Sequence, residues 1–565
     1  MKNLSSVNNP KPGDQPNLLP AARTLKTVPN VNHHPGKTCS AWMESSGVPS
    51  APALTDELKA DVCVIGAGIA GLTTAYLLTL EGKSVVVLDD GPIGGGESER
   101  TTAHLATALD SRYFLLERLH GPRGACLAAQ SHTAAIRCIE AIVASEKIDC
   151  DFERVDGYLF VPPGQSAGFL DFELAAAHRA GLSKVQRLTR APLDSFETGA
   201  CLRFPQQAQF HPLKYLSALA RVIEQNGGRL FARAHVTKVK GGSPACVETK
   251  TACLVMADAV VVATNTPVND RLAIHTKQAP YRSYVIGARV PPGAVPRALY
   301  WDTAEPAHYL RVQSVPAGKS NEQPHDLLIV GGEDHKTGQA DDAEARWDRL
   351  EQWARQRFPQ IATVQYRWSG QVMQSIDGLA FIGRNPMDEP NVFIATGDSG
   401  SGMTHGTIAG MLLTDLICGQ ESPWAGLYDP ARVTFRAAKA FARENLNAAA
   451  QYRHWVSPGQ ASSAADLAPG TGAVFRQGLK KVAAYCDDRG VVHELSPACP
   501  HLGCIVAWNQ AEKSWDCPCH GSRFEPLGGV LNGPAVRNLA PLEEWVAPIR
   551  EPKRKAKKQP QEHHV

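Results

Sequence analysis

The sequence predicts an α/β protein with a small all-β domain near its C-terminal end. Two segments carry this prediction. Residues 61–90 pass from an apolar run through a glycine-rich turn into a helix-forming stretch and a second apolar run, which is the order of a βαβ unit. Residues 465–550 contain short strand-like runs, many glycines and prolines, and no long helix. Between them, residues 113–360 alternate between helix-like and strand-like stretches, as a mixed α/β body does.

Length and composition describe an ordinary globular chain. It has 565 residues, 43% of them hydrophobic and 20% charged, so we expect three or four compact units of ~150 residues each. The 58 basic residues nearly balance the 56 acidic ones, which gives no reason to expect nucleic acid as a partner. There is no uninterrupted apolar run of ~18 residues, so we predict no membrane span.

The two ends of the chain have a different character from its body. Residues 1–37 are rich in Asn, Pro and Ser and lack an apolar export signal, which indicates a disordered leader and a cytoplasmic protein. Residues 551–565 are basic and are predicted to be a solvated, disordered tail.

The N-terminal βαβ unit is assigned from its residues. Asp61–Ile65 is a short apolar run, typical of a buried parallel strand. Ala70–Leu80 contains no proline and favours a helix, and Ser84–Leu88 is a second buried strand. Further along, Leu213–Asn226 is helix-like, and Val392–Ala395 is a strand that leads into a glycine cluster. Residues 426–464 are interpreted as a helix followed by a linker.

The turn of this unit fits the pattern G-x-G-x-x-G. Gly66 makes the tight turn, Gly68 lets the backbone approach a pyrophosphate, and Gly71 lets the helix pack closely on the strand. Asp89, at the end of the second strand, is placed to accept a hydrogen bond from a ribose hydroxyl. The pattern predicts a dinucleotide site and does not distinguish FAD from NAD.

A second motif lies in the C-terminal segment. Cys499-Pro-His501-Leu-Gly-Cys504 is followed by Cys517-Pro-Cys519-His520-Gly-Ser522. Two cysteine–histidine pairs on separate loops supply thiolates and imidazoles, which can hold zinc or a [2Fe–2S] cluster.

The first motif and five later segments together resemble the D-amino-acid oxidase/glycine oxidase family of FAD enzymes. The segments are Gly94–Thr102, Phe210–Val236, Ala259–Pro267, and the stretches Ile376–Gly383 and Ala395–Met403. The resemblance covers residues 58–425 and implies a Rossmann-like FAD-binding domain interleaved with a mixed α/β substrate domain, the latter at about 113–195 and 285–365. The implied cofactor contacts are Gly66, Gly68, Gly71, Asp89, Val236, Gly397, Gly402 and Met403.

One position departs from the family pattern. Amino-acid oxidases of this family carry an arginine that binds the substrate carboxylate two residues after a W-x-G motif. Here Trp368-Ser-Gly370 is followed by Gln371 and Val372, and valine cannot bind a carboxylate. A free amino acid would need another cation, for which Arg282 and Arg311 are candidates. The sequence therefore favours an amine.

The cysteine–histidine boxes resemble those of Rieske proteins of the cytochrome bc complexes. The resemblance implies that Cys499 and Cys517 bind one iron, that His501 and His520 bind the other, and that Cys504 and Cys519 form a disulfide. Gly533-Pro-Ala535 resembles the proline loop that shields the cluster. Ser522 resembles a serine that hydrogen-bonds cluster sulfur, but Phe524 replaces the companion tyrosine, which predicts a lower potential than in the respiratory proteins.

The two resemblances predict an FAD-dependent dehydrogenase that oxidises a small organic donor and passes electrons singly through a Rieske cluster to a one-electron acceptor. An electron-transfer or redox-sensing protein without its own substrate is the alternative. His104 is interpreted as a pocket or core histidine that does not attach flavin covalently. No catalytic acid or base is assigned.

Overall fold

The computed structural model describes residues 36–542 except 46, 48, 49, 270, 271, 318–322, 460 and 462. Most of the predicted leader, the whole predicted tail and the end of the predicted 465–550 domain lie outside these residues. Lys37, where the predicted leader ends, donates its backbone N–H to the carbonyl of Glu512 over 3.2 Å. No helix of the described residues is both long enough and apolar enough to cross a membrane.

Strands make up most of the regular structure. They are β1 (Leu58–Ile65), β2 (Val85–Leu88), β3 (His104–Leu105), β4 (Glu153–Phe160), β5 (Gln186–Leu188), β6 (Cys201–Gln209), β7 (Arg229–Phe231), β8 (Val236–Lys240), β9 (Ala245–Thr249), β10 (Leu254–Val262), β11 (Gln278–Val290), β12 (Leu299–Asp302), β13 (His308–Val315), β14 (His325–Lys336), β15 (Thr363–Ser375), β16 (Phe381–Arg384), β17 (Val392–Thr396), β18 (Thr471–Gln477), β19 (Lys480–Cys486), β20 (Val492–Leu495), β21 (Ala507–Asn509), β22 (Ser514–Asp516), β23 (Arg523–Phe524) and β24 (Val530–Asn532).

The helices cover the sheets of the larger part of the chain. They are α1 (Ala41–Ser45), α2 (Ile69–Leu80), α3 (Tyr113–Ser145), α4 (Gly168–Arg179), α5 (Pro212–Gln225), α6 (Ala343–Arg357), α7 (Gly402–Ile417), α8 (Ala425–Tyr428) and α9 (Ala438–Ala450). Short 3-10 segments lie at Gly96–Arg100, His275–Lys277, Phe435–Ala437, Gln451–Trp455 and Ala464–Asp466.

The first sheet contains the predicted βαβ unit. Its order is β16-β17-β10-β1-β2-β7, with β1, β2, β7, β10 and β17 parallel, and β9 joins β8 to β10. The central strands are buried on both faces, as their unbroken valine runs predict. Helices α2 and α7 pack closely because Gly406 and Gly410 have no side chains. A Cβ on Gly406 would lie 2.5 Å from Ile69, and one on Gly410 would lie 2.4 Å from Thr73.

The second sheet forms the interleaved domain. Its order is β15-β11-β14-β13-β12-β4-β6-β3, and β5 pairs with β6. These strands extend beyond the predicted segments 113–195 and 285–365, since β6 pairs with β4 and β15 pairs with β11 along its whole length. Which strands pair depends on packing between distant parts of the chain, so a local sequence pattern does not predict it.

The C-terminal domain is all-β, as predicted. It has one sheet of order β18-β19-β20 and another of order β21-β22-β23-β24. Its core packs Trp508, Trp515 and Phe524 beside the buried cysteines. Helix α9 and the 3-10 segment Gln451–Trp455 connect it to the larger part of the chain, and Trp455 Nε1 donates to the carbonyl of Gly503 over 2.9 Å.

Candidate functional site

A cavity of about 360 Å³ runs along the carboxyl ends of the parallel strands, where open α/β sheets bind their ligands. Most residues that the sequence predicts as cofactor contacts line this cavity: Gly66, Gly68, Asp89, Val236, Gly397, Gly402 and Met403. They come from four separate stretches of the chain, which the parallel sheet brings to one edge.

Gly66 and Gly71 hold the turn beneath the cavity. Gly66 has φ +103°, and a Cβ there would lie 2.4 Å from the carbonyl oxygen of Ala263. A Cβ on Gly71 would lie 1.8 Å from the carbonyl oxygen of Gly66. Gly71 therefore brings helix α2 against the turn without lining the cavity, which is the packing role that the motif predicts.

Helix α7 begins at the cavity wall. Ser401, Gly402, Met403 and Thr404, at its first turn, all line the cavity. The free N–H groups and the positive dipole end of a 16-residue helix face this space. The arrangement stabilises negative charge on a bound group.

Asp89 directly follows β2 and is half-buried. Its Oδ2 accepts from the N–H of Ala67 over 2.6 Å, and its Oδ1 accepts from the N–H of Gly91 over 2.8 Å. Burial raises the pKa of Asp89 to about 6, although these two N–H groups oppose the shift. Each carboxylate oxygen keeps a second lone pair that can accept the predicted bond from a ribose hydroxyl.

Carboxylates dominate the part of the cavity that lies near the second sheet. Burial, followed by Glu97, raises the pKa of Asp398 to about 7, and burial raises the pKa of Asp110. The side chain of Asp334 is exposed to the cavity, but protein atoms surround it on its other sides. This desolvation raises the pKa of Asp334 to about 6, although a hydrogen bond from Ser283 lowers it. The Ser283 hydroxyl also lies 2.7 Å from the hydroxyl of Tyr309.

Aromatic rings complete this part of the wall. The ring of His104 lies 5.7 Å from Trp301 and 5.8 Å from Tyr309 between centroids. Burial, with Arg311 adding to it, lowers the pKa of His104 to about 3, so its imidazole is neutral. Its Nδ1 lies 3.0 Å from the hydroxyl of Thr102.

Neither arginine that was considered as a carboxylate partner lines the cavity. Arg282 Nη1 donates to Ser369 Oγ over 2.7 Å and lies 3.6 Å from the carboxylate of Glu512. Arg311 Nη1 donates to the carbonyls of Ala103 and Phe210 over 3.1 and 3.0 Å. Val372, at the position of the family's arginine, does line the cavity.

Among the described residues that line the cavity, Arg100 is the only lysine or arginine. Its Nη1 lies 3.3 Å from Glu512 and donates to the carbonyl of Ser369 over 2.8 Å. Its Nη2 donates to the carbonyl of Thr38 over 2.9 Å. The positive charge of Arg100 is therefore neutralised on the side away from the cavity.

The second motif forms two facing loops. Each loop closes with the same turn. The N–H of Gly503 donates to the backbone carbonyl of Cys499, and the N–H of Gly521 donates to the backbone carbonyl of Cys517. Cys504 and Cys519 form a disulfide that joins the loops. The sulfurs of Cys504, Cys517 and Cys519 lie within 4.8 Å of one another, but the two disulfide sulfurs cannot act as thiolate ligands.

The remaining four side chains converge between the loops. A hydrogen bond from Cys517 lowers the pKa of Cys499, and the rings of His501 and His520 lie 5.0 Å apart between centroids. Burial, followed by His275 and His501, lowers the pKa of His520 to about 3. Two buried sulfurs and two imidazoles are the donor set of a [2Fe–2S] cluster with cysteine on one iron and histidine on the other.

Ser522 joins these loops to the predicted proline loop. Its hydroxyl hydrogen-bonds Cys499 and accepts from the N–H of Ala535 over 3.0 Å. Phe524, at the position of the family's tyrosine, is fully buried and brings no hydroxyl.

Sequence reasoning did not predict that the two sites share a wall. Residues of the C-terminal domain line the 360 Å³ cavity beside the glycine turn: Val530, Leu531, Asn532, Gly533, Ala535 and Val536. His235 bridges the two parts, since its Nδ1 lies 2.7 Å from Asp90 and its Nε2 lies 2.8 Å from the carbonyl of Val536. The nearest sequence signal is the Gly533-Pro-Ala535 loop itself, which does not reveal its neighbour.

Comparisons with known proteins assign both parts of the chain to families. Residues 61–416 match the family described as FAD dependent oxidoreductase, and residues 457–544 match the Rieske [2Fe-2S] domain. A Bacillus subtilis protein named YhfW and described as a Rieske 2Fe-2S iron-sulfur protein is 32% identical over 505 residues, which cover 89% of this chain and 97% of that protein.

Two further relatives match the larger part of the chain alone. The gamma-glutamylputrescine oxidoreductase of Escherichia coli is 26% identical over 393 residues, covering 67% of this chain and 89% of that protein. The crystal structure of glycine oxidase from Geobacillus kaustophilus superposes with a TM-score of 0.55 at 18% identity, covering 66% of this chain and 99% of that one, and shows the shared fold.

Proposed function

Because the chain belongs to the family of FAD-dependent oxidoreductases and ends in a Rieske [2Fe–2S] domain, we propose that it oxidises a small cationic amine and passes the electrons on singly. FAD supplies an acceptor for two electrons and the cluster supplies an acceptor for one. The chain is thus an oxidoreductase with both cofactors, and the donor and the order of electron flow are the proposal.

The residues proposed to hold FAD are those at the cavity wall. Gly66 and Gly68 form the pyrophosphate turn, Asp89 binds the adenosine ribose and Val236 packs beside the adenine. Gly397, Gly402 and Met403 lie around the start of helix α7. Gly71 supports the turn from behind. One continuous cavity lined by all four stretches of the chain supports this assignment.

The residues proposed to hold the cluster are Cys499, His501, Cys517 and His520. The disulfide Cys504–Cys519 leaves these four as the donors between the loops. The loss of one hydroxyl at Phe524 removes a hydrogen bond that would stabilise the reduced cluster. We therefore propose a potential below that of respiratory Rieske proteins.

The observation that carries the amine proposal is the charge of the cavity. Glu97, Asp110, Asp334 and Asp398 line it, whereas the one lysine or arginine among the described residues that line it, Arg100, is paired with Glu512. A carboxylate substrate would meet negative charge, and an ammonium group would gain a charge-assisted hydrogen bond. One relative is named gamma-glutamylputrescine oxidoreductase.

We propose a dehydrogenase rather than an oxidase. An iron–sulfur domain that forms part of the cavity wall gives electrons an exit other than oxygen. The partner is a one-electron acceptor, and nucleic acid is not expected. Of the fourteen cysteines, ten belong neither to the disulfide nor to the proposed cluster ligands, which supports a cytoplasmic location. A carrier without a substrate would not need the acidic and aromatic wall around Asp334.

The test is anaerobic reduction of the flavin by matched pairs, each an amino acid and the amine obtained by its decarboxylation. Stopped-flow absorbance follows flavin bleaching, and freeze-quench electron paramagnetic resonance follows the reduced cluster. The proposal predicts tighter binding and faster reduction by the amines, followed by a Rieske-type signal. Consistent preference for the amino acids would show that the donor class is wrong.

A further inference from the structure

We propose that His275 is the residue through which electrons leave the flavin cavity for the Rieske cluster. This inference rests on the proposed electron flow from flavin to cluster and adds the route. His275 belongs to the larger part of the chain and lies in the 3-10 segment just before β11. No feature of either sequence motif points to it.

His275 contacts both histidines of the cluster site. Its ring centroid lies 4.9 Å from that of His501, edge-on at 75°, and 5.8 Å from that of His520. Its side chain is only 2% exposed. A single imidazole from the flavin-binding part therefore covers both proposed ligands of the histidine-bound iron.

A chain of polar side chains continues from His275 to the cavity. The hydroxyl of Thr266 lies 3.5 Å from His275 Nδ1 and accepts from Gln278 Nε2 over 3.4 Å. Gln278 Oε1 accepts from the hydroxyl of Thr396 over 3.0 Å. Thr396 lines the cavity beside Gly397.

All members of this chain are buried. Thr266 is 0% exposed, Gln278 is 4% and Thr396 is 6%. Hydrogen bonds in such a water-excluded setting couple their groups more strongly than exposed ones do. These hydrogen bonds join the cavity wall at Thr396 to His275, which lies beside the two imidazoles of the cluster site. The path is thus a continuous packed connection through the protein.

A second connection runs along the proline loop and has to be distinguished from the first. Ser522 joins Cys499 to the N–H of Ala535, and Ala535 lines the cavity. This connection starts from the cysteine side of the cluster. The His275 route starts from both imidazoles at once, and this double contact is why we favour it.

The electron balance needs no group beyond those proposed. The amine loses two electrons and two protons to become an imine, and FAD receives the electron pair. Each electron then converts one ferric ion of the cluster to ferrous, and the protons leave to solvent. A one-electron acceptor oxidises the cluster between the two transfers. No bond of His275 forms or breaks.

The experiment uses the holoprotein and needs no substrate. With EDTA present as a sacrificial electron donor, a light flash reduces the flavin, and absorbance and freeze-quench paramagnetic resonance record the later reduction of the cluster. His275→Phe keeps a ring against the cluster but loses the bond to Thr266, and Thr266→Val breaks the same bond with His275 in place. We expect each variant to slow transfer by about tenfold or more, equivalent to about 1.4 kcal/mol of barrier.

A matched control alters another contact to the same loops. Gln339 Nε2 donates to the carbonyl of Pro518 over 3.1 Å and lies off the route. Gln339→Leu is expected to leave the transfer rate unchanged. The midpoint potentials and the cluster spectrum are expected to stay at wild-type values in all three variants, a result that a merely structural role of His275 would not produce.

The outcomes separate this inference from the proposed function. If flash-reduced flavin in the wild-type protein never reduces the cluster, the proposed electron flow is wrong and the route falls with it. If the wild type transfers electrons and both variants keep its rate, only the route is wrong. If only Ser522→Ala slows electron transfer to the cluster, the route is the proline loop. If a shifted midpoint potential accounts for the slower transfer in His275→Phe or Thr266→Val, the proposal is also overturned.

Discussion

The carboxylate of Glu512 and the guanidinium of Arg100 lie 3.3 Å apart, and neither side chain has any exposed surface. Glu512 precedes β22 of the Rieske domain, and Arg100 ends a 3-10 segment that lines the flavin cavity. Thr38 Oγ1 also donates to Glu512 over 2.7 Å. Burial alone would raise the pKa of Glu512, but Arg100, Arg282 and Arg523 outweigh it and lower the pKa.

Glu512→Gln is expected to destabilise the interface between the Rieske domain and the larger part of the chain. The isosteric amide leaves the buried guanidiniums of Arg100 and Arg282 without their carboxylate, at a cost of about 3–5 kcal/mol. Thermal unfolding followed by flavin and cluster absorbance measures the loss. Glu117→Gln is the control, because its partner Arg179 is 55% exposed and such pairs contribute below about 1 kcal/mol. Equal effects of the two changes would contradict the buried role of Glu512.

Gly68→Val is expected to give protein that contains the cluster but no flavin. A Cβ at Gly68 lies 2.9 Å from Ser98 Oγ and occupies the turn where backbone meets pyrophosphate. Flavin and iron content of the purified variant provide the measurement. Gly426→Val is the matched control, because a Cβ there has no heavy atom within 4 Å. Full flavin occupancy in Gly68→Val would place the site elsewhere.

Asp334→Asn is expected to weaken binding of the amine. A charge-assisted hydrogen bond contributes ~1.5–3 kcal/mol, or roughly 10- to 150-fold in affinity. Since burial raises the pKa of Asp334 to about 6, the carboxylate forms as pH rises through that value. The Kd of the ammonium form, measured from flavin reduction, should therefore fall with rising pH in the wild type.

In the asparagine variant, the fall in Kd near pH 6 should disappear. A second fall near pH 7 should remain, because burial raises the pKa of Asp398 to about 7. Asp341→Asn serves as the control, since Asp341 is an exposed carboxylate outside the cavity. A Kd that is independent of pH in the wild type would exclude Asp334 as the ammonium partner.

His501→Cys is expected to move the cluster towards a plant-ferredoxin type. A thiolate in place of a neutral imidazole lowers the reduction potential and changes the paramagnetic resonance spectrum. His493→Cys changes a half-exposed histidine of the same domain, paired with Asp487, and should alter neither property. Wild-type protein with stoichiometric zinc and without iron or acid-labile sulfide would refute the ligand assignment.

His235 is expected to make the contact between the domains depend on pH. Its hydrogen bond to Asp90 raises the pKa of His235, against burial and Lys250. Only the protonated ring donates to both Asp90 and the carbonyl of Val536. The resulting stability is fully present below the unfolded pKa of ~6.5 and is lost as pH rises through the higher folded value. Unfolding midpoints across this window measure it, and His235→Gln should remove the pH dependence that the wild type shows.

The local elements were predictable because their signals lie within a few residues. The valine runs, the glycine turn and the helix-forming stretch of the βαβ unit correspond to β1, α2 and β2 within a few residues. The short strands of the C-terminal domain follow the same rule. The long pairing of β11 with β15 was not predicted, because strand partners are chosen by packing between distant segments.

The sequence by itself predicted the cofactors. Glycine spacing indicated a dinucleotide and cysteine–histidine spacing indicated a metal or cluster, because these are local requirements of the ligands, and the two family resemblances implied FAD and [2Fe–2S]. Only the tertiary structure decided which charges face the cavity. Arg282 was a candidate substrate cation until the fold placed it against Glu512, and Arg100 pairs with the same carboxylate from 412 residues away. A buried charge is neutralised by whichever partner the fold brings to it. The acidity of the cavity and the place of His275 beside His501 therefore follow from packing.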